Sequence, residues 1–178
     1  TAVLCDENKL PLRPAIHWTD SRSVKESKEL NEKYGEEILK LSYHKPGVFW
    51  TLPQLLWVKN NEPENFGKIR YIFFEKDYIR YLLTDVFCTD YIEAEGSMLF
   101  DCDKMCWSER LCEIAGISTS FLPPIKNPTD IIGGITEKAA KITGLKEGTP
   151  VICGTTDTVM EVFAGGAVNK GDVTVKLA

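Results

Sequence analysis

The chain has 178 residues, 43% of them hydrophobic and 26% charged, with a formal net charge of −5. That size and composition bury roughly two-thirds of the unfolded surface, which argues against a disordered segment and against any need for a disulfide or metal staple. The 26 acidic residues outnumber the 21 basic ones without a basic block, so neither nucleic acid nor an anionic membrane is an expected partner, and no apolar run nears the ~20 residues of a membrane helix.

From the N-terminus, TAVLC is an apolar strand already under way, as in a piece of something longer. DENKL follows as a turn and PLRPAIHW as an extended segment, because each proline pushes its preceding residue out of the helical region. Together they predict a hairpin. Ser23-Val-Lys-Glu26 has the capping-box pattern, and Val24, Leu30, Tyr34, Ile38 and Leu41 continue at helical spacing, with Gly35 predicting a bend or two helices. Thr51 is placed to cap a helix carrying Leu55, Leu56 and Trp57, with Pro53 tolerable in its first turn. EPENFGKI is a short helix, YIFF a buried strand, and KDYIRYLL a further helix.

The stretch DVFCTDYIEAEGSMLFDCDKMCW is a mixture of short extended pieces and polar turns, in which Thr89-Asp90-Tyr91 and Asp101 are turn residues. A helix from Trp107 to Ala115 closes at Gly116, FLPPIKNPTDIIGG crosses the fold, and TEKAAKIT is a helix capped by Thr136 and ended by Gly144. PVIC is a strand, GTTDTVMEVFAGGAV a turn and helix, and DVTVKLA a closing strand. The alternation predicts an α/β fold with a mostly buried sheet.

The six cysteines, Cys5, Cys88, Cys102, Cys106, Cys112 and Cys153, are irregularly spaced and follow no secretory leader. They are expected to be reduced thiols of a cytoplasmic protein. No metal site is expected: Cys102, Cys106 and Cys112 lack CxxC spacing, and His17 and His44 lie far upstream.

The most informative stretch is PVICGTTDTVMEVFAGG, where a strand ends at Gly154 and Asp157 falls at the join with a helix. Ligands collect at the carboxyl ends of strands in open α/β sheets, glycine admits a close approach to backbone, and a helix N-terminus favours an ionised carboxylate. Asp157 is therefore either a proton-accepting base or a plain helix cap. In Trp18-Thr-Asp20-Ser-Arg22 the aspartate and arginine either pair to fix the loop or bind a polyol. Phe49 and Trp50 are either core or one wall of a sugar site, whereas Trp57, among leucines, belongs to the core. No GxxxxGK[ST] phosphate loop is present.

These segments resemble, in order, those of the FGGY family of carbohydrate kinases, and within it the xylulokinase-like branch. PLRPAIHWTDSRS is similar to P-x-x-x-A-I-x-W-x-D-x-R, and TLPQLLWVKNNEPENF to L-P-K-L-L-W-x-K-x-x-x-P-E. KDYIRYLLTDVFCTDYIEAEGSMLFD resembles K-D-Y-[IL]-R-x-x-L-T-G-x-x-x-T-D-x-x-x-A-S, and GLKEGTPVICGTTDTVMEVFAGGAV resembles G-L-x-x-G-T-P-V-x-x-G-x-x-D.

The resemblance implies an actin-like, ribonuclease H-like ATPase fold, with residues 1–178 forming part of a first domain that faces a nucleotide domain across a cleft. It implies ATP-dependent phosphorylation of a sugar, D-xylulose or a related ketose, with Mg²⁺. Asp157 would take the proton of the attacking hydroxyl; Thr158, Asp20, Arg22, Phe49 and Trp50 would contact the sugar, and Gly154, Thr155 and Thr156 the nucleotide. An aspartate is too weak a base to pre-ionise an alcohol, so alignment and the metal would supply most of the catalysis. The D-x-G-T phosphate loop is expected upstream of Thr1 and the nucleotide domain beyond Ala178, so the isolated chain is expected to lack kinase activity. The resemblance also allows a homodimer. Departures from the pattern include Thr158 in place of an asparagine, Asp85 in place of a glycine, Gly96 in place of a serine, and KLA at the place of the family's L-G-T-S-G turn. Thr158 and the altered end at Ala178 leave open a sugar-binding sensor without phosphotransfer as the alternative.

Overall fold

β1 (Ala2–Cys5) is buried at all four positions and pairs antiparallel with β2 (Tyr71–Phe74), Ala2 opposite Phe74 and Cys5 opposite Tyr71. The period of two along a strand divides these residues between two cores. Ala2, Leu4 and Ile72 face one side and pack with Leu30, Ile38, Leu52, Leu55, Val58 and Leu111, while Val3, Cys5 and Phe73 face the other and meet Tyr71, Tyr78, Tyr81 and Phe87. The computed structural model from which this description comes covers residues 1–175.

The N-terminal hairpin does not form as predicted. β1 keeps only a bridge from Cys5 to Pro11 and a bond from Leu12 N–H to the Leu4 carbonyl, 2.9 Å, because Pro11 and Pro14 have no N–H to extend a ladder. α1 (Val24–Ser42) is one continuous helix through Gly35. Its capping box is absent: the Ser23 hydroxyl donates to the Val48 carbonyl at 3.0 Å, and the buried Glu26 accepts from Asn60 at 3.1 Å. Tertiary partners took both side chains of the box.

α2 (Thr51–Asn61) starts one residue earlier than a Thr51 cap would require. Trp50 holds the cap position in extended geometry, Thr51 is the first helical residue, and Pro53 sits in the first turn as expected. α3 (Pro63–Lys68) leads into β2, and α4 (Glu75–Thr84) follows β2 directly, closing at Asp85 with a left-handed φ of 58°.

β3 (Thr89–Asp90) runs into α5 (Tyr91–Glu95), and β4 (Phe100–Asp101) pairs with β5 (Cys106–Trp107). Trp107 is thereby drawn into a strand, so α6 (Glu109–Ala115) begins after a Ser108 cap and closes at Gly116, φ 78°. β6 (Ile125–Lys126) lies parallel to β3. β7 (Ile131–Gly134) pairs with β8 (Pro150–Ile152) around α7 (Glu137–Thr143), whose cap at Thr136 and left-handed end at Gly144 are those read from the sequence. α8 (Asp157–Ala164) is the last helix among the described residues.

Two further expectations differ from the structure. Instead of one mostly buried sheet, the described residues form four two-stranded ladders, and Ile131 and Ile152 on β7 and β8 are 70% and 54% exposed. The closing strand is also missing over its described part. Asp172–Val175 has no regular structure, Val173 and Val175 being exposed without a partner strand among the described residues, and the remainder of that strand lies outside them.

Candidate functional site

Beyond β8 the chain turns through Cys153, Gly154, Thr155 and Thr156 into α8. Cys153 N–H donates to the Asp130 carbonyl at 2.9 Å and Gly154 N–H to the Pro128 carbonyl at 2.8 Å. Gly154 has φ +73°, and a Cβ there would meet nothing within 4 Å. Conformation, then, fixes glycine at this position, and the space beside its backbone is open. Thr156 occupies the cap position, which makes Asp157 the first helical residue instead of the cap. The Asp157 side chain is exposed, and its Oδ1 accepts from Thr158 N–H at 2.6 Å and lies 3.3 Å from Thr158 Oγ1.

Asp157 borders an open cleft of about 470 Å³ that it shares with Trp18, Lys76, Glu93, Thr155 and Thr156. Trp18 is 62% exposed and its ring is a flat apolar face of the sort that takes the C–H side of a sugar. Burial disfavours the Lys76 ammonium, but Asp77 and Asp90, at 2.6 and 2.7 Å, outweigh it and hold Lys76 above its ordinary range. Burial raises the Glu93 carboxyl, with Lys76 opposing.

The other residues expected at the sugar site lie elsewhere. Asp20 and Arg22 pair with each other, Nε to both carboxylate oxygens at 2.9 Å and Nη2 to Oδ2 at 2.7 Å, with the guanidinium 4.7 Å from the Trp57 ring centroid. That hydrogen bonding draws the Asp20 carboxyl down to about 2. The pair fixes the loop that carries Trp18. Phe49 and His44 both pack on Trp50, with ring centroids 4.6 and 4.4 Å from it, at the start of α2. None of Asp20, Arg22, Phe49 and Trp50 lines the cleft. The Thr155 hydroxyl donates inward to Asp90 at 2.9 Å, so its hydroxyl is not turned to the cleft. All six cysteines are free, and among the described residues no helix is long and apolar enough to cross a membrane.

Lys76, Asp77, Arg80 and Glu93 have no role in the sequence reading, and Asp90, expected there as a turn residue, is instead buried at the end of β3. One signal was available: Asp77, Arg80 and Thr84 share one helical stripe at i, i+3 and i+7, and that stripe is the buried one while Ile79 and Leu82 are 60% and 52% exposed.

The N-terminal domain of the FGGY family of carbohydrate kinases matches residues 1–164. The chain is 34% identical over 169 residues to a xylulose kinase of Bacillus subtilis strain 168, covering 95% of this chain and 34% of that protein. It is 26% identical over 178 residues to a gluconokinase of the same organism, covering 99% of this chain and 35% of that protein. The crystal structure of xylulose kinase from Rhodospirillum rubrum superposes with a TM-score of 0.91 at 30% identity, over 96% of this chain and 35% of that one. The chain thus spans about a third of the length of the curated relatives it matches.

Proposed function

This chain belongs to the FGGY family of carbohydrate kinases, xylulokinase-like and of actin-like ATPase fold, and from that premise we propose that it is part of the first domain of an enzyme that phosphorylates D-xylulose or a related ketose. The observation that carries the proposal is the position of Asp157: an exposed carboxylate at a strand-to-helix turn, bordering a cleft, with an open glycine backbone three residues before it.

In this reading the sugar lies along Trp18, and Asp157 orients the attacking hydroxyl and receives its proton late in the transfer, when the oxygen has become acidic. Thr158, which does not line the cleft, acts on the sugar through Asp157, whose carboxylate its N–H holds in place. Asp20, Arg22, Phe49 and Trp50 act on the sugar indirectly, as supports of the loops around it. ATP is the second substrate; its terminal phosphate approaches the Gly154–Thr156 backbone, where glycine leaves the space open. An accompanying Mg²⁺ would neutralise phosphate charge; among the described residues no cluster of three or more His, Cys, Asp or Glu side chains is placed to hold it, and no step here is assigned to it.

The gluconokinase relative supports a second acceptor class, an aldonate, and Thr158 supports the sensor alternative. A coupled ADP-release screen of the full-length protein against ketoses, aldoses, glycerol and gluconate decides among them, with a ketose expected to give the highest kcat/KM. Asp157→Asn is expected to lower kcat by roughly 10²–10⁴-fold while sugar binding persists. Retention of wild-type turnover in that variant would remove Asp157 from the proposed role.

A further inference from the structure

α4 turns a charged stripe inward beside the aromatic one formed by Tyr78 and Tyr81. Its apolar residues Ile79 and Leu82 face solvent, while Asp77 and Arg80, 1% and 6% exposed, point inward together with Thr84. The inward charges join a network with the fully buried Asp90. Lys76 Nζ bridges Asp77 Oδ1 and Asp90 Oδ2, Asp77 Oδ1 lies 2.9 Å from Arg80 Nη1, and the Arg80 guanidinium donates to the backbone carbonyls of Cys88 and Cys153. Asp90 Oδ1 accepts from Ile92 N–H at 3.0 Å, from Glu93 N–H at 3.2 Å, and from the Thr155 hydroxyl at 2.9 Å.

Burying three charges, Asp77, Arg80 and Asp90, costs several kcal/mol apiece before pairing, and well-packed apolar residues in their place generally serve stability as well or better. What the network offers that apolar packing cannot is direction. It grips the turn before α8 at two points, the Cys153 carbonyl from Arg80 and the Thr155 hydroxyl from Asp90. Asp157 is two residues beyond the second grip.

Resting on the reading of Asp157 as the base, we propose that Asp90 and Thr155, backed by Lys76, Asp77 and Arg80, position the Asp157 carboxylate against the acceptor hydroxyl. Thr155 is accordingly a positioning residue whose hydroxyl works inward, on Asp90. A displacement of about 1 Å at a reacting group costs on the order of 10²-fold in rate, so loosening one grip is expected to lower kcat and leave the sugar KM nearly unchanged.

The test uses the full-length protein with Thr155→Val, which deletes the hydroxyl at similar volume, and Thr155→Ser, which keeps it. Thr155→Val is expected to lower kcat about tenfold or more with the sugar KM within about twofold of wild type, and Thr155→Ser to recover kcat to within about twofold. Amide hydrogen exchange across residues 153–160, which needs no turnover, is expected to quicken in Thr155→Val and not in Thr155→Ser. Wild-type kcat and exchange in Thr155→Val would overturn the positioning role, and so would a Thr155→Ser protein as slow as Thr155→Val. A wild-type protein that forms no ADP with any sugar would instead overturn the phosphotransfer reading, and the exchange comparison alone would then decide the role of Thr155.

Discussion

Asp85 illustrates how a single position can carry a cost that its neighbours impose. It ends α4 at φ 58°, donating its N–H to the Tyr81 carbonyl at 2.7 Å, and a left-handed backbone costs an L-residue roughly 1–2 kcal/mol, less for aspartate, whose short side chain tolerates it. The family pattern has glycine here. Asp85→Gly is expected to raise the stability of the full-length protein by about 0.5–1 kcal/mol, the relief of strain exceeding the added freedom of the unfolded chain. Chemical denaturation reads it, and a lower midpoint in the variant would show that aspartate is comfortable in that geometry. Gly154 adopts the same backbone region, and there the sequence did hint at it, because a glycine that closes an apolar strand just before an aspartate and a helical period marks a sharp turn. Buried Asp90 gave no such hint. A Thr-Asp pair before a short helix has the same composition whether it caps in solvent or inside the protein, and only the tertiary structure brings Lys76 and Thr155 to it.

Among the elements, those whose ends are fixed by local chemistry were legible in advance. α7 needs only Thr136 and Gly144 to define it, and both behave as read. α1 departs from its local sequence signals at both its cap and its middle because distant groups decide them. Val48 and Asn60 draw Ser23 and Glu26 away from the helix start, and packing by Leu30 and Ile38 carries the helix through Gly35. β1 was paired with the wrong partner for the same reason, since an apolar run states that a strand is buried and leaves unstated which strand lies beside it. α4 is the extreme case, its sequence being equally helical whichever face turns inward. The buried face makes a specific expectation: Arg80→Leu leaves Asp77 short of a partner in the interior and is expected to destabilise the protein by about 3–5 kcal/mol. Removing Lys25 or Lys28 from the exposed Lys25–Glu29 and Lys28–Glu32 pairs of α1 is expected to change stability by less than about 0.5 kcal/mol. Equal effects in denaturant titrations would remove the distinction between the two kinds of ion pair.

Over the whole molecule, packing is uneven along the chain. The largest fully buried side chains all fall between Ile38 and Leu111, whereas Ile131, Ile142, Leu145, Ile152, Met160, Phe163, Val168, Val173 and Val175 are about half to four-fifths exposed. Local opening is easiest where few apolar contacts must break. In the chain of residues 1–178, amide exchange is therefore expected to be slowest in β1, β2 and α2 and at least about tenfold faster in α8, as followed by mass spectrometry of peptides. Uniform protection from end to end would contradict that gradient. The Asp157 turn stands between the two regimes, tied to the well-packed part by Asp90 and Arg80 and continuing into the sparsely packed part.

The antiparallel pairing of β1 with β2 also bears on the order of events during synthesis. Residues 2–5 leave the ribosome long before their partner at 71–74, and at elongation rates of roughly 5–20 residues per second that interval lasts several seconds. α1, α2 and α3 are made within it, so the helices that share a core with Ala2 and Leu4 are all synthesised before β1 meets β2. Until then β1 lacks β2, the partner that covers its hydrogen-bonding edge, and is joined to the segment that follows it by the bridge from Cys5 to Pro11 and the Leu12 N–H bond to the Leu4 carbonyl.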